Sequence, residues 1–153
     1  MLADKAFGPA PEKLPVCALI MLAHGSRSAS WVTPFESLQQ KMQANWSGQV
    51  RMAYFEHSQP SLEEAIDALM ADMSSNESGL GIGQRESTQS VCRIHIEPLL
   101  LAAGFHVQTD LPERMAALEK KHPGLTLTAG SVLIDAPLIQ QAILQNCLAS
   151  IDS

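Results

Sequence analysis

The chain has 153 residues, 46% of them hydrophobic, enough for one well-buried core and short for two. Its formal charge of −6 and sequence pI near 5.2 exclude a nucleic-acid surface, because ten scattered Lys and Arg form no basic stripe along a phosphate backbone. No window approaches the roughly 18 apolar residues of a membrane span, and the acidic balance suits a soluble cytoplasmic protein.

Residues 1–13 mix Asp4, Lys5, Pro9, Pro11 and Glu12 without an apolar block, and read as a flexible N-terminal extension. The remainder, 14–153, reads as a single domain. Val16 to Leu22 is a continuous apolar run, the pattern of a strand covered on both faces. It leads into Ala23 His24 Gly25 Ser26 Arg27, which puts an imidazole where the chain turns off the sheet. Ser26, Arg27, Ser28 and Ser30 form a polar loop before a helix, a setting that can hold an anion through backbone N–H groups. Thr33 Pro34 Phe35 Glu36 has the form of a capping box with proline in the first turn, and Phe35, Leu38 and Met42 would line one face of the helix that follows.

Val50 to Phe55 is the second strand pattern, followed by Glu56 and His57. Ser61 and Glu64 have capping-box spacing, and Leu62, Ala65, Ile66, Leu69 and Met73 make the buried stripe of a second helix. Residues 74–90 are rich in Ser and Gly and carry no periodicity, so a mobile loop is expected. Gly79, Gly81 and Gly83 within it lack dinucleotide-fingerprint spacing and precede a strand rather than follow one.

A third strand lies within Val91 to Leu101, with His95 and Glu97 on one face of an otherwise apolar segment; that face is expected to be partly exposed or to lie at a subunit contact. Gly104 Phe105 His106 follows its end. Asp110 and Glu113 would open a third helix, which Pro123 and Gly124 stop just after His122. A fourth strand falls in Leu125 to Leu133, and Asp135 precedes a last helix with a broad apolar face of Leu138, Ile139, Ala142, Ile143 and Leu148. Cys17, Cys92 and Cys147 are odd in number, far apart and set in apolar stretches, and read as reduced core thiols.

The alternation β-α-β-α-β-α-β-α implies an α/β fold, a four-stranded parallel sheet with helices on both faces. In such a sheet the carboxyl ends of all strands share one edge, so His24, His106 and the Glu56–His57 pair should converge on one crevice. Taken singly, a histidine in an apolar setting is more often a hydrogen-bonded structural residue than a ligand. Two of them at strand ends beside glycine reverse that reading. Imidazole and carboxylate are donors for cobalt, nickel, iron or zinc, and neutral imidazole is also a proton acceptor near pH 7. Glu56 reads equally as a ligand, a partner of a ligand, a general acid or a solvent-facing carboxylate.

Three stretches together resemble the small form of the CbiX family, the sirohydrochlorin cobaltochelatases among the class II chelatases. They are Leu22 to Arg27, Phe55 to Ala65 and Pro98 to Pro112, in matching order and spacing, with the likeness running from about Val16 to about Leu148. The resemblance implies a flavodoxin-like chelatase fold and, for a chain this short, a homodimer. It implies metal-binding histidines at His24 and His106; Glu56, from the reading of the residues themselves, joins them as the expected catalytic set. Ser26, Arg27, Gly104 and Phe105 are the expected substrate-contacting positions. The implied reaction inserts divalent cobalt, or nickel or iron, into a sirohydrochlorin-type tetrapyrrole, the metal being a substrate and no organic cofactor taking part. The chain departs from the family at Gln108 and Thr109, where basic residues are usual, in the long 74–90 segment and at Glu97; Arg27, Arg85 and Arg114 are the cations that would compensate. Two other functions fit the residues: a divalent-metal carrier or sensor that keeps the histidine pair, and an anion binder using the Ser26–Ser30 loop.

Overall fold

The computed structural model describes residues 15–77, 92–104 and 106–151, the side chains of Asn76, Glu77 and His106 excepted. The expected N-terminal extension, most of the 74–90 segment including its three glycines and Arg85, and Phe105 lie outside the described residues. Four strands, β1 (Val16–Ala23), β2 (Gln49–Tyr54), β3 (Cys92–Pro98) and β4 (Leu125–Ala129), form one parallel sheet in the order β2-β1-β3-β4. Four helices alternate with them: α1 (Ala29–Asn45), α2 (Leu62–Glu77), α3 (Leu111–Lys121) and α4 (Pro137–Ile151). The expected fold class is the one observed. No helix of the described residues is long and apolar enough to cross a membrane.

Side chains alternate across each strand, so β1 serves two cores. Ala18, Ile20 and Leu22 join Ile94, Ile96, Leu125 and Leu127 under α2 and α3, whose Leu62, Ala65, Ile66, Leu69, Leu111 and Leu118 are buried. Met21 and Ala23 join Val50, Met52 and Tyr54 on the opposite face, where Trp31, Val32, Phe35, Met42 and Trp46 of the α1 segment cover them. Leu38, expected on that stripe, is 44% exposed.

The Ser61–Glu64 capping box forms as read: the Glu64 amide donates to Ser61 Oγ at 3.2 Å and the Ser61 amide donates to the Glu64 carboxylate at 2.7 Å. The Thr33–Glu36 box does not. Helix α1 begins at Ala29 with Pro34 inside it, because starting a turn earlier lets Trp31 and Val32 pack on the sheet. Near a helix start the missing proline N–H forgoes a single bond, and that burial outweighs it. Helix α2 continues to Glu77, past the expected loop start at 74.

Two further expectations are corrected. Asp110 makes no side-chain cap, since the chain is already helical before it: a π-turn, His106–Asp110, runs straight into α3. Cys17 and Cys92 are disulfide-bonded rather than reduced, and Cys147 is exposed on α4. The β1–β3 register slips between Val16 and Ala18, leaving Cys17 in the bulge beside the first residue of β3, with Cα atoms 6.2 Å apart. Sequence spacing of 75 residues carries no sign of that proximity.

The polar residues of β3 find one another. His95 Nδ1 lies 2.9 Å from Thr128 Oγ1 on β4, and its Nε2 lies 3.2 Å from Glu97 Oε2. Gly130 makes room for that carboxylate, since a Cβ there would sit 2.5 Å from Glu97 Oε2. His122, at the C-terminus of α3, meets Asp67 at 2.7 Å, with Lys121 on the same carboxylate. These two histidines are structural, and both lie away from the cavity described below.

Removing the observed capping box provides a direct check of what seats α2. Ser61→Ala is expected to lower unfolding stability by about 1 kcal/mol with an unchanged urea m-value; a stability equal to that of the unaltered chain would show that packing alone sets the start of this helix.

Candidate functional site

The site is built by extending the sheet two residues past the strand ends. The Phe55 amide donates to the Ala23 carbonyl at 2.9 Å and the Glu56 amide to the His24 carbonyl at 3.0 Å, so the β1–β2 ladder continues into the two loops. His24 and Glu56 are thereby placed side by side. Gly25 then turns with φ +95°, and a Cβ on it would lie 1.7 Å from the Glu56 carbonyl oxygen. Only glycine has both the backbone freedom and the absent side chain that this position needs.

Beyond this contact the loops are tied by one hydroxyl. Ser58 Oγ accepts from the Ser26 amide at 2.9 Å and donates to the Ser26 carbonyl at 2.8 Å. The Ser58 amide donates to the Glu56 carbonyl, a tight turn in which His57 takes φ +60°. Ser58 was not singled out in the sequence, because a hydroxyl whose partners are both backbone atoms of another loop leaves no local pattern. Histidine at the left-handed position carries its ring out to solvent, 3.6 Å from the Glu56 carboxylate.

A cavity of about 400 Å³ opens at this edge, lined by His24, Phe55, Glu56, Val107, Asp110, Glu113 and Arg114. The π-turn supplies Val107 and Asp110, and α3 supplies Glu113 and Arg114. His106 is the first residue of that π-turn, one position before the cavity-lining Val107. Sequence reading thus brought His24 and Glu56 to one place. It missed Phe55, Val107, Asp110 and Glu113 as lining residues, the two acids having been read as helix-start signals. Their position just after His106 was the available clue.

Of the expected substrate contacts, Ser26 is held by Ser58, whereas Arg27 is exposed on the loop and does not line the cavity. Gly104 is exposed, and a Cβ built on it meets nothing within 4 Å. Arg114 is committed to Glu63: its Nε donates to Oε1 at 2.6 Å and its terminal nitrogen donates to Oε2, a forked pair, while the guanidinium lies over the Phe55 ring at 5.6 Å from the centroid. Phe55 in turn neighbours His24, with ring centroids 6.4 Å apart. The Arg114 hydrogen bond holds the Glu63 carboxyl below its ordinary value against the opposing effect of burial, and the same bond raises Arg114.

With that arginine paired, the cavity presents three carboxyl side chains and an imidazole, a lining that favours a cation. Among the described side chains no three His, Cys, Asp or Glu converge as a closed metal cage. The arrangement offers an open seat with a potential proton acceptor beside it.

The CbiX family model matches residues 18–149. Among solved structures, a CbiX protein assigned to cobalamin (vitamin B12) biosynthesis in Marinobacter aquaeolei VT8 superposes with a TM-score of 0.67 at 27% identity, covering 88% of this chain and 97% of that one. The sirohydrochlorin chelatase SirB from Bacillus subtilis subspecies spizizenii, in complex with cobalt, gives 0.58 at 20% identity over 76% of this chain and 43% of its own. SirB from Bacillus subtilis with Fe3+ gives 0.57 at 20% identity, covering 76% and 40% respectively. No curated protein matches in a sequence search.

Two outcomes test the construction of the edge. Gly25→Ala combines a backbone clash with a left-handed φ and is expected to cost at least about 1–3 kcal/mol in chemical denaturation; a neutral substitution would mean that the Glu56 carbonyl is free to move. Glu63→Gln removes a carboxylate whose lowered pKa stabilises the fold above its unfolded value of 4.5, a contribution lost as pH falls through the depressed native value. The variant should therefore melt below the unaltered chain at pH 7, the gap narrowing below pH 4.5. Equal melting at pH 7 would show the pair to be energetically idle.

Proposed function

The chain belongs to the CbiX family, and from that premise we propose that it inserts a divalent metal into a sirohydrochlorin-type tetrapyrrole. The observation that carries this reading is the shared cavity of His24 and Glu56, with the π-turn begun by His106 in its wall. Cobalt, nickel and iron all accept imidazole and carboxylate donors, and the B. subtilis SirB structures were determined with cobalt and with Fe3+.

Insertion into a free macrocycle releases two pyrrole N–H protons as the ring nitrogens take the metal. The protein must offer a base and a seat weak enough to yield its ion. His24 and His106 are assigned as metal seat and proton acceptor, each requiring the neutral ring. Glu56 neighbours His24 and is assigned to steady the cation or to take up the second proton. An open site with few protein donors suits transfer, whereas a closed thiolate cage would retain the ion.

One observation favours the second reading, a divalent-metal carrier or sensor. The cavity lining is acidic, its arginine is engaged by Glu63, and Gln108 and Thr109 stand where family members carry cations. A tetrapyrrole bearing many carboxylates gains little there, while a bare cation gains much.

Anaerobic mixing with cobalt(II) and sirohydrochlorin, followed by absorbance, separates the two. A chelatase should exceed the protein-free rate, and His24→Ala or His106→Ala should lower that excess at least about a hundredfold, the scale of a lost general base. Protein-free rates with cobalt, nickel and iron alike, together with calorimetric binding of metal and not of tetrapyrrole, would establish the carrier.

A further inference from the structure

The arginine of the cavity is held by a residue outside it. Arg114 lines both the cavity already described and a more open one of about 330 Å³, whereas Glu63 lines only the latter of the two. The guanidinium therefore stands where the two cavities meet. Its forked pair commits it to Glu63, 51 residues earlier in the chain, on the side that His24 and Glu56 do not share. The adjacent acid, Glu64, closes the capping box of α2; Glu63 instead crosses to α3.

Charge gives this pair a consequence for the ligand. With Arg114 cancelled, Glu56, Asp110 and Glu113 face a single imidazole among the described lining residues. Arg114 is also the only Lys or Arg in that lining, so a carboxylate entering the cavity must compete with Glu63 for it. A cation meets no such competition. Both Glu63 and Asp110 act on the guanidinium, and the Glu63 hydrogen bond is the largest influence on it. The pair is not what fastens α3 by itself: one turn further along α2, Asp67 accepts from Lys121 Nζ at 2.7 Å and lies 2.7 Å from His122 Nε2. This second tie leaves the charge of Glu63 separable from the docking of the helix.

We propose that Glu63 is a specificity-determining residue that acts through Arg114, holding the guanidinium on its own side and so setting the cavity towards a cation and against a polycarboxylate. The inference rests on the reading of this cavity as the ligand site. The bond Glu63 makes is of the same kind that a ligand carboxylate would make, so a change of partner exchanges like for like. Without the Glu63 charge, Arg114 becomes the cation that Gln108 and Thr109 do not supply.

Calorimetric titration of the full chain at low ionic strength tests this with three separate probes: benzenehexacarboxylate, sirohydrochlorin and cobalt(II). Glu63→Gln should bind both polycarboxylates at least about tenfold more tightly and cobalt(II) several-fold more weakly, with an unchanged circular dichroism spectrum. Affinities moving in opposite directions are the signature, since a merely structural loss would weaken all three. Adding Arg114→Met to Glu63→Gln should abolish the gain. Asp67→Asn removes the same charge one turn away and should leave each affinity within about twofold of the unaltered value. No tightening by Glu63→Gln, an equal tightening by Asp67→Asn, or a Glu63→Gln chain that no longer folds would each overturn the proposal. Tighter benzenehexacarboxylate with no sirohydrochlorin bound by either protein would uphold it and overturn the chelatase reading instead.

Discussion

The approach of Gly25 to the Glu56 carbonyl is the constraint on which the rest of the cavity depends. Parallel strands have no hairpin to hold their ends together, so the loops that leave them diverge unless something beyond the ladder joins them. Here the ladder is prolonged through Phe55 and Glu56, and the missing side chain at Gly25 lets the two backbones close. Ser58 then fastens the same loops one step further out. His24 and Glu56 come together because of backbone geometry, with no bond between their side chains required. Chemistry that needs a movable cation benefits from this, since neither donor is committed to the other.

The opposite wall is positioned by charge. Arg114 reaches from α3 to Glu63 on α2 and lies over Phe55, linking both helices of one face to the end of β2. A guanidinium satisfied in this way gives rigidity and removes a cation from the pool available to an anionic ligand. The resulting cavity combines carboxylates with an imidazole, favourable for drawing in a metal ion and costly for a polycarboxylate. That tension is why the metal half of the proposed reaction is better supported by this chain's own residues than the macrocycle half.

The sheet was legible because buried parallel strands write themselves as unbroken apolar runs, and Val16–Leu22 and Val50–Phe55 match β1 and β2 to within a residue at each end. The Ser61–Glu64 box was legible for a related reason: its two hydrogen bonds are local. What misled was local chemistry overruled by distant packing. Thr33 Pro34 Phe35 Glu36 has every mark of a helix start, but Trp31 and Val32 gain more by reaching the sheet. Asp110 reads as a cap because nothing in the sequence announces that His106–Asp110 is already a π-turn. The same turn brings Asp110 to the cavity. Cys17 and Cys92 meet across a register slip, a property of the pairing of two strands that neither strand carries alone.

The polar side of β3 and the uncharged surface of α4 pose one problem from two directions. His95, Glu97 and Thr128 bond among themselves and leave their half of the sheet only partly covered, at 31% exposure for the histidine side chain and 39% for the glutamate. A helix as apolar as α4 would leave those groups desolvated and partly unpaired if it lay over them, at a cost its own burial would not repay. Standing away from the sheet avoids that cost but leaves leucines in water.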